Sequence, residues 1–180
     1  MSIDERYLRD LQAVGQDLLL MGLVSSHGGN LSVRLENGDV IITRHGCMLG
    51  HIDEAGLVGV REDGSAEGKA SMDTGIHLAI YQDTGAGAVV HAHPRHAIAL
   101  SLQGGEIRPQ DLEGKHYLGE RVPVVSEVKE IPAALKEHPI VVVAGHGSYA
   151  RGADLWQALQ WTSVLEESAQ VLWLAKGQPA

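Results

Sequence analysis

One segment constrains the fold of this chain more than any other: residues 140–144, IVVVA, are almost all β-branched. Such a run predicts a strand, and because no polar residue alternates with the apolar ones, the strand should be buried on both faces. A strand of this kind needs packed elements around it, and the chain also contains helical patterns. We therefore expect one α/β domain in which helices pack over a sheet.

Local patterns place the remaining elements along residues 1–180, which we expect to form a single domain. Apolar residues at helical spacing predict helices at 4–22, 71–82, 96–102, 130–138 and 153–176. Short apolar or alternating runs predict strands at 31–35, 40–43, 57–61, 88–93, 122–125 and 140–144. The pair Asn37-Gly38 predicts a tight hairpin turn. Several hairpins argue against an all-parallel sheet.

Composition narrows the classes of function. Apolar residues make up 44% of the chain, which is enough for a core. The 14 basic and 23 acidic residues leave a net charge of −9, which argues against nucleic-acid binding. No apolar run is long enough to span a bilayer, and the charged first residues do not resemble a signal peptide. Cys47 is the only cysteine, so we expect no disulfide framework and a reducing, cytoplasmic setting.

Histidines carry the strongest functional signal. His91 and His93 lie two apart on a predicted strand and therefore point to the same face, while Pro94 ends the strand. His146 follows a second strand and has a glycine on each side. Three imidazoles at two strand ends are typical of a catalytic Zn²⁺ site with an open position. The alternative is three ordinary histidines that hydrogen-bond to the backbone.

Two further features add to this hypothesis. Asp73 is the best candidate for a carboxylate at the site, although an acid is also favoured in the first turn of a helix. The turn Ser26-His27-Gly28-Gly29-Asn30 exposes backbone N–H groups that can bind an anion, although a plain turn is an equal alternative. More donors are available if they lie nearby, at Thr43, His45, Gly46 and Ser71.

The order of these motifs resembles the class II aldolase/adducin family, with L-fuculose-phosphate aldolase-like members. The motifs are GGNLS, IITRHG, SMD followed by His, AVVHAHP and GHG. The resemblance implies a three-layer α/β/α domain with a mostly antiparallel central sheet. It also implies a homotetramer with active sites at subunit interfaces.

The resemblance also implies roles for individual residues. His91, His93 and His146 would bind a divalent metal, usually Zn²⁺ but also Mn²⁺, Co²⁺ or Fe²⁺. Asp73 would be a catalytic acid/base that can also touch the metal, where the family's aldolases have Glu. Asn30 would help to hold the enolate oxygen. Gly29 and Asn30 would belong to the family's phosphate loop, and Ser71 would be its phosphate-binding serine. The positions of the two turns make Gly28, Thr43, Gly46, His27 and His45 further substrate-binding candidates.

This chain departs from the family pattern at three positions. Family aldolases usually have hydroxyl side chains where this sequence has His27, His45 and Met72. Met72 cannot donate a hydrogen bond. Either the histidines act as cationic donors to a phosphate, or the substrate ends in a carboxylate or a neutral hydroxyl.

The expected activity is metal-dependent retro-aldol cleavage of a ketose or ketose 1-phosphate through an enediolate. Epimerisation, dehydration or decarboxylation of a related sugar phosphate or sugar acid remains an alternative. A non-catalytic adducin-like relative is another, but those proteins lack the metal histidines.

Other polar residues have simpler interpretations. We expect His77 to be a packed helix residue, and His96 has no reason to point at the metal. We expect Arg151 to form a surface ion pair; the alternative is that it binds an anion from a neighbouring subunit. Glu166 and Glu167 are expected on a solvated helix face.

Overall fold

The computed structural model describes residues 3–177 and has a seven-stranded sheet at its centre. The strands are β1 (Asn30–Arg34), β2 (Val40–Thr43), β3 (Leu57–Val60), β4 (Ala88–Ala92), β5 (Val124–Val125), β6 (Ile140–Val143) and β7 (Gly147–Gly152). The helices are α1 (Glu5–Leu20), α2 (Thr74–Asp83), α3 (Arg95–Ser101), α4 (Leu112–Leu118), α5 (Ile131–Glu137) and α6 (Leu155–Lys176). Within the described residues, none of the helices has the length and apolar character that a membrane span requires.

The sheet order is β3-β2-β1-β4-β7-β6-β5. Every neighbouring pair is antiparallel except β5 and β6, which run parallel. The expectation of an α/β fold with a mostly antiparallel sheet is therefore confirmed.

Each face of the sheet buries a separate apolar cluster, because successive side chains of a strand point to opposite faces. One face contributes Val90 and Val142 to the larger cluster, which α1, α3, α4 and α6 cover. The other contributes Val89 and Val141 to a smaller cluster beneath α2 and α5. The molecule thus has the three-layer α/β/α arrangement that the resemblance implied, and β6 is buried on both faces as its composition predicted.

Two elements were missed by sequence patterns. Strand β7 has the sequence GSYARG, in which only the tyrosine favours strands. It forms because β4 and β6 supply hydrogen-bonding partners on both of its sides. Helix α4 contains Gly114, whose low helix propensity hides the pattern. Asp111 begins this helix by accepting a hydrogen bond from the Gly114 N–H at 2.6 Å.

The predicted start of one helix was also too early. Helix α2 begins at Thr74 and not at residue 71, and Asp73 is its N-cap without a capping hydrogen bond from its side chain. The carboxylate is consequently free to interact elsewhere.

The register of the strands brings residues that are remote in sequence side by side on the sheet. Asn30 on β1 is paired with His91 on β4, and His91 is paired with Tyr149 on β7. Directly paired residues on neighbouring strands present their side chains to the same face. This row of three residues lies on the face covered by α2, which Asp73 precedes.

Candidate metal centre

His91, His93 and His146 form the centre of the site. One ligand atom from each lies within 4.8 Å of the others. The Nε2 atoms of His91 and His93 are 3.2 Å apart. Two nitrogen ligands of one tetrahedral zinc ion, each about 2.0–2.1 Å from it, lie roughly 3.3 Å apart. The spacing of this pair therefore fits binding to one ion.

The tautomer of His91 is set by the neighbouring strand. Its Nδ1 lies 2.9 Å from the carbonyl oxygen of Ser148. Since a carbonyl only accepts, Nδ1 carries the proton and Nε2 carries a lone pair. A backbone carbonyl that holds the other ring nitrogen in this way is typical of metal-binding histidines.

Burial keeps two of the imidazoles neutral. Desolvation lowers the pKa of His91 to about 3, although its hydrogen bond to the Ser148 carbonyl favours the protonated ring. Desolvation and His146 also lower the pKa of His93. A neutral imidazole is the form that binds a metal. Burial therefore favours the metal-binding form of His91 and His93.

Two glycines allow the backbone to approach the rings. A Cβ atom on Gly147 would lie 2.5 Å from the carbonyl oxygen of Ala92 and 2.8 Å from Cδ2 of His93. A Cβ atom on Gly28 would lie 2.9 Å from Nδ1 of His93. No larger residue fits at either position without movement of the site. Gly28 of the glycine-rich turn thus packs directly against a metal-ligand candidate.

Asp73 lies beside the histidines. Its Oδ2 accepts a hydrogen bond of 2.7 Å from Nδ2 of Asn30 and lies 3.8 Å from Nε2 of His91. Burial by itself raises the pKa of Asp73, but the hydrogen bond from Asn30 and the nearby imidazoles outweigh it. The pKa of this carboxyl group is therefore below its usual value, and the group is ionised at neutral pH.

A buried set of polar side chains, which we call the polar seam, lies between the sheet and α2. It consists of Ser32, His77, Tyr81 and Tyr149. The Ser32 hydroxyl is 2.7 Å from both Nδ1 of His77 and the Tyr81 hydroxyl. Burial lowers the pKa of His77 to about 4 despite the opposing charge of Asp73. His77 is thus a packed, neutral residue, as expected, but it belongs to a hydrogen-bonded group close to the site.

Tyr149 is a site residue that sequence reasoning missed. Its ring stacks on that of His91, with centroids 4.1 Å apart and planes 11° apart. Burial and the charge of Asp73 raise its pKa, so the phenol stays protonated. Within residues 3–177, four buried side-chain atoms lack a hydrogen-bond partner: Asn30 Oδ1, His77 Nε2 and Tyr149 OH at the site and the seam, and Ser148 Oγ on the opposite face of the sheet. No sequence signal marks Tyr149, because β7 itself was not predicted.

The other substrate-binding candidates have different environments. Gly29 adopts a φ of +77°, which favours glycine, and a Cβ atom there would meet the carbonyl of His91 at 2.5 Å. Ser71 accepts a hydrogen bond from the backbone N–H of Asp73 at 3.2 Å and is partly exposed. Thr43 is fully buried, and its hydroxyl accepts from the N–H of Leu31.

The exposed candidates lie on two turns. His27 is exposed, with its Nδ1 3.0 Å from the Ser26 hydroxyl. His45 and Gly46 are exposed on the turn after β2, which the backbone holds beside the segment leading to Ser71: the N–H of His45 donates to the carbonyl of Lys69.

Two interpretations of surface residues were wrong. Glu166 is not on a solvated face; it lies 2.8 Å from Nδ1 of His96 and also accepts backbone N–H groups of α3. Arg151 makes no surface ion pair within the described residues. Its Nε instead donates a hydrogen bond to the carbonyl oxygen of Leu135. His96 is not part of the histidine cluster, and its Nδ1 contacts Glu166 instead.

Known proteins share both the sequence pattern and the fold. The model of the family described as Class II Aldolase and Adducin N-terminal domain matches residues 9–173. The crystal structure of an L-fuculose-1-phosphate aldolase from Thermus thermophilus superposes with a TM-score of 0.92 at 36% identity. That superposition covers 98% of this chain and 100% of the other.

Curated relatives have other activities. An L-ribulose-5-phosphate 4-epimerase of Salmonella paratyphi B is 30% identical over 89% of this chain and 81% of its own length. A 3-oxo-tetronate 4-phosphate decarboxylase of Pectobacterium atrosepticum is 28% identical over 97% of this chain and 87% of its own length. A probable bifunctional isomerase/dehydratase of methylthioribose and methylthioribulose 1-phosphates from Nocardia farcinica is 29% identical. This chain spans only 34% of the length of that protein.

Proposed function

Since the chain belongs to the class II aldolase and adducin N-terminal domain family, we propose that it is a divalent-metal-dependent lyase. The proposed reaction is retro-aldol cleavage of a ketose or ketose 1-phosphate, with Zn²⁺ as the ion. One observation carries the proposal most directly: three imidazoles share one centre, and an ionised carboxylate lies beside it. The similarity to an L-fuculose-1-phosphate aldolase supports the same reaction.

His91, His93 and His146 would hold the ion, and Asp73 would lie beside it, with its Oδ2 3.8 Å from Nε2 of His91. A divalent ion bound there would supply Lewis-acid polarisation of a substrate carbonyl. The neutral rings leave the ion's positive charge uncompensated, which favours binding of a developing oxyanion.

Asp73 is the proton-transfer group in this proposal. It is ionised, so it can accept the proton of a substrate hydroxyl while the carbon–carbon bond breaks, and then return it to carbon. Asn30 directs one side-chain N–H to Asp73, which holds the carboxylate in place. The amide has a second N–H that can donate to the substrate oxyanion.

The distal end of the substrate would bind at the glycine-rich turn and the neighbouring turn after β2. Gly28, Gly29 and Ser71 offer backbone and hydroxyl donors, while His27 and His45 offer imidazoles. These two histidines would donate to a phosphate or a carboxylate where the substrate carries one. Cytoplasmic localisation and a homotetramer with active sites between subunits are part of the same proposal.

A second candidate is epimerisation or decarboxylation of a sugar phosphate. The observation that favours it is the similarity to an epimerase and a decarboxylase over most of the chain. Both reactions use an oxyanion next to a breaking bond, so the same residues serve them. A non-catalytic role is disfavoured, because the full ligand set is present.

His93→Ala tests the proposal, with His116→Ala as a control on the exposed surface. We expect purified wild-type protein and the control to contain stoichiometric metal, and His93→Ala to lose both metal and turnover. Incubation with ketose phosphates and keto sugar acids then separates the reactions by product: an aldehyde, an epimer or CO₂. Full activity in His93→Ala would contradict the proposed function.

A further inference from the structure

Helix α3 connects two of the candidate ligands. It begins two residues after His93, and its last residue, Ser101, contacts the residue that precedes His146. The orientation of these two rings relative to one another therefore depends on how α3 is held at its two ends.

At the start of α3, the first turn of the helix has no cap of its own. Pro94 is the N-cap and makes no capping hydrogen bond from its side chain. Glu166 on α6 takes this role, because its carboxylate accepts from the N–H of His96 at 3.0 Å and of Ala97 at 3.2 Å. It also accepts from Nδ1 of His96 at 2.8 Å. A single carboxylate thus satisfies backbone donors that a helix start leaves unpaired.

At the end of α3, Ser101 fixes the turn that carries His146. Its hydroxyl donates to the carbonyl of Ile98 at 2.7 Å and accepts from the N–H of Gly145 at 3.0 Å. Gly145 has a φ of +69°, so the chain reverses sharply at this point. His146 itself is exposed, and its ring contacts the other two candidate ligands: its centroid lies 5.0 Å from that of His91 and 5.4 Å from that of His93.

We propose that Glu166 and Ser101 are positioning residues of the metal centre, which act through α3 to hold His93 and His146 at the separation that one ion requires. This inference rests on the proposed metal-dependent function. His91 does not depend on α3 in the same way, because Ser148 holds it from β7. Loss of either contact should therefore weaken the metal site while one ligand stays in place.

The chain provides a matched control for each residue. Glu167 is the next residue on α6 and is exposed, so Glu167→Gln removes the same charge without the contact to α3. Ser163 on α6 donates to the carbonyl of Gln160, three residues earlier, as Ser101 does to Ile98. Ser163→Ala thus removes the same kind of bond within a helix, away from the turn of His146.

The experiment measures metal binding by the metal-free full-length protein. Co²⁺ is titrated by its visible absorption, and Zn²⁺ affinity is measured by competition with a chelator. We expect Glu166→Gln and Ser101→Ala each to raise the Kd about 10-fold, within the 10–100-fold range typical of residues that orient ligands. Glu166→Ala should have the larger effect of the two Glu166 substitutions, because the amide of Gln still accepts hydrogen bonds. The Co²⁺ absorption should lose intensity as the geometry departs from tetrahedral.

Thermal unfolding gives the melting temperature of each metal-free variant. All titrations are done at one temperature at which every variant is folded. The inference is overturned if Glu166→Gln and Ser101→Ala bind like their controls, including the case in which they only lower the melting temperature. Failure of the proposed function gives a different result: wild-type protein does not bind Co²⁺, or His91→Ala binds it equally well.

Discussion

The two faces of the sheet are built from different chemistry. On the face under α1, α3, α4 and α6, the buried polar residues are small hydroxyl side chains such as Ser101, Ser148, Thr162 and Ser168. On the face under α2 and α5, the smaller apolar cluster adjoins His91 and the polar seam. Within residues 3–177, every buried histidine and tyrosine is on this second face.

The first face therefore contributes mainly apolar burial, and the second face contains the buried titratable side chains. Apolar burial contributes most to the stability of a domain, and the larger cluster provides it. Buried titratable groups cost free energy unless they are paired, and they are a common feature of functional sites. We therefore expect substitutions in the apolar cluster of the first face to change stability, and substitutions near the seam to change pH dependence and metal binding. Ser101 and Glu166, which contact the two ends of α3, are the proposed exceptions on the first face.

Leu11→Ala should have the largest effect on stability. Leu11 lies on α1 in the larger cluster and is fully buried. Truncation removes its contacts and leaves a cavity, so we expect a loss of about 2–5 kcal/mol in the free energy of unfolding, measured by urea denaturation. Leu20→Ala on the same helix is the control: Leu20 is 75% exposed, and its truncation should change stability by less than about 0.5 kcal/mol. Weakened Co²⁺ binding by folded Leu11→Ala would show that metal binding depends on the apolar cluster itself and not only on the contacts at the ends of α3.

His77→Gln should change the pH dependence of stability. The folded state lowers the pKa of His77 from 6.5 to about 4, so the unfolded chain takes up the proton first as the pH falls. Stability due to the neutral ring is therefore present above pH 6.5 and is lost toward pH 4, by about 3 kcal/mol at 1.36 kcal/mol per pKa unit.

The measurement is the free energy of unfolding of metal-free protein across this range of pH. His77→Gln should flatten the curve, whereas His116→Gln, at an exposed position, should leave it unchanged. Equal slopes for wild type and His77→Gln would contradict the assignment of this effect to the seam.

Gly147→Ala should have the smallest effect on stability but a clear effect on metal binding. The added Cβ would meet the Ala92 carbonyl and the rings of His93 and His91, so the ligands must shift. Overpacking of this kind costs about 1–3 kcal/mol. We expect weaker Co²⁺ binding by the folded variant. Gly85→Ala is the control, since nothing lies within 4 Å of a Cβ atom there, and it should bind Co²⁺ like wild type.

Much of the architecture was predictable from local patterns. The β-branched run at 140–144 predicted a strand buried on both faces. The two-residue period of a strand predicted that His91 and His93 converge, and their Nε2 atoms are 3.2 Å apart although β4 ends at Ala92. The resemblance to the class II aldolase/adducin family, based on five short motifs, is confirmed. The roles of the individual substrate-binding residues stay predictions.

Other parts were not predictable because they depend on contacts between distant residues. Strand β7 has weak strand propensity and forms because β4 and β6 pair with it on both sides. Without this strand, Tyr149 could not be assigned to the site. Glu166 looked like a solvent-facing acid, since nothing in its own helix indicates that α3 begins opposite its carboxylate.

The sequence by itself determined which residues can bind a metal and which short segments carry them, because ring chemistry and strand period are local properties. Only the tertiary structure decided that His146 joins the pair, which tautomer His91 adopts and what holds α3. His91 and Ser148 are 57 residues apart, and His96 and Glu166 are 70 apart. Contacts over such distances are set by how the whole sheet and its covering helices pack, and no short stretch of sequence encodes them.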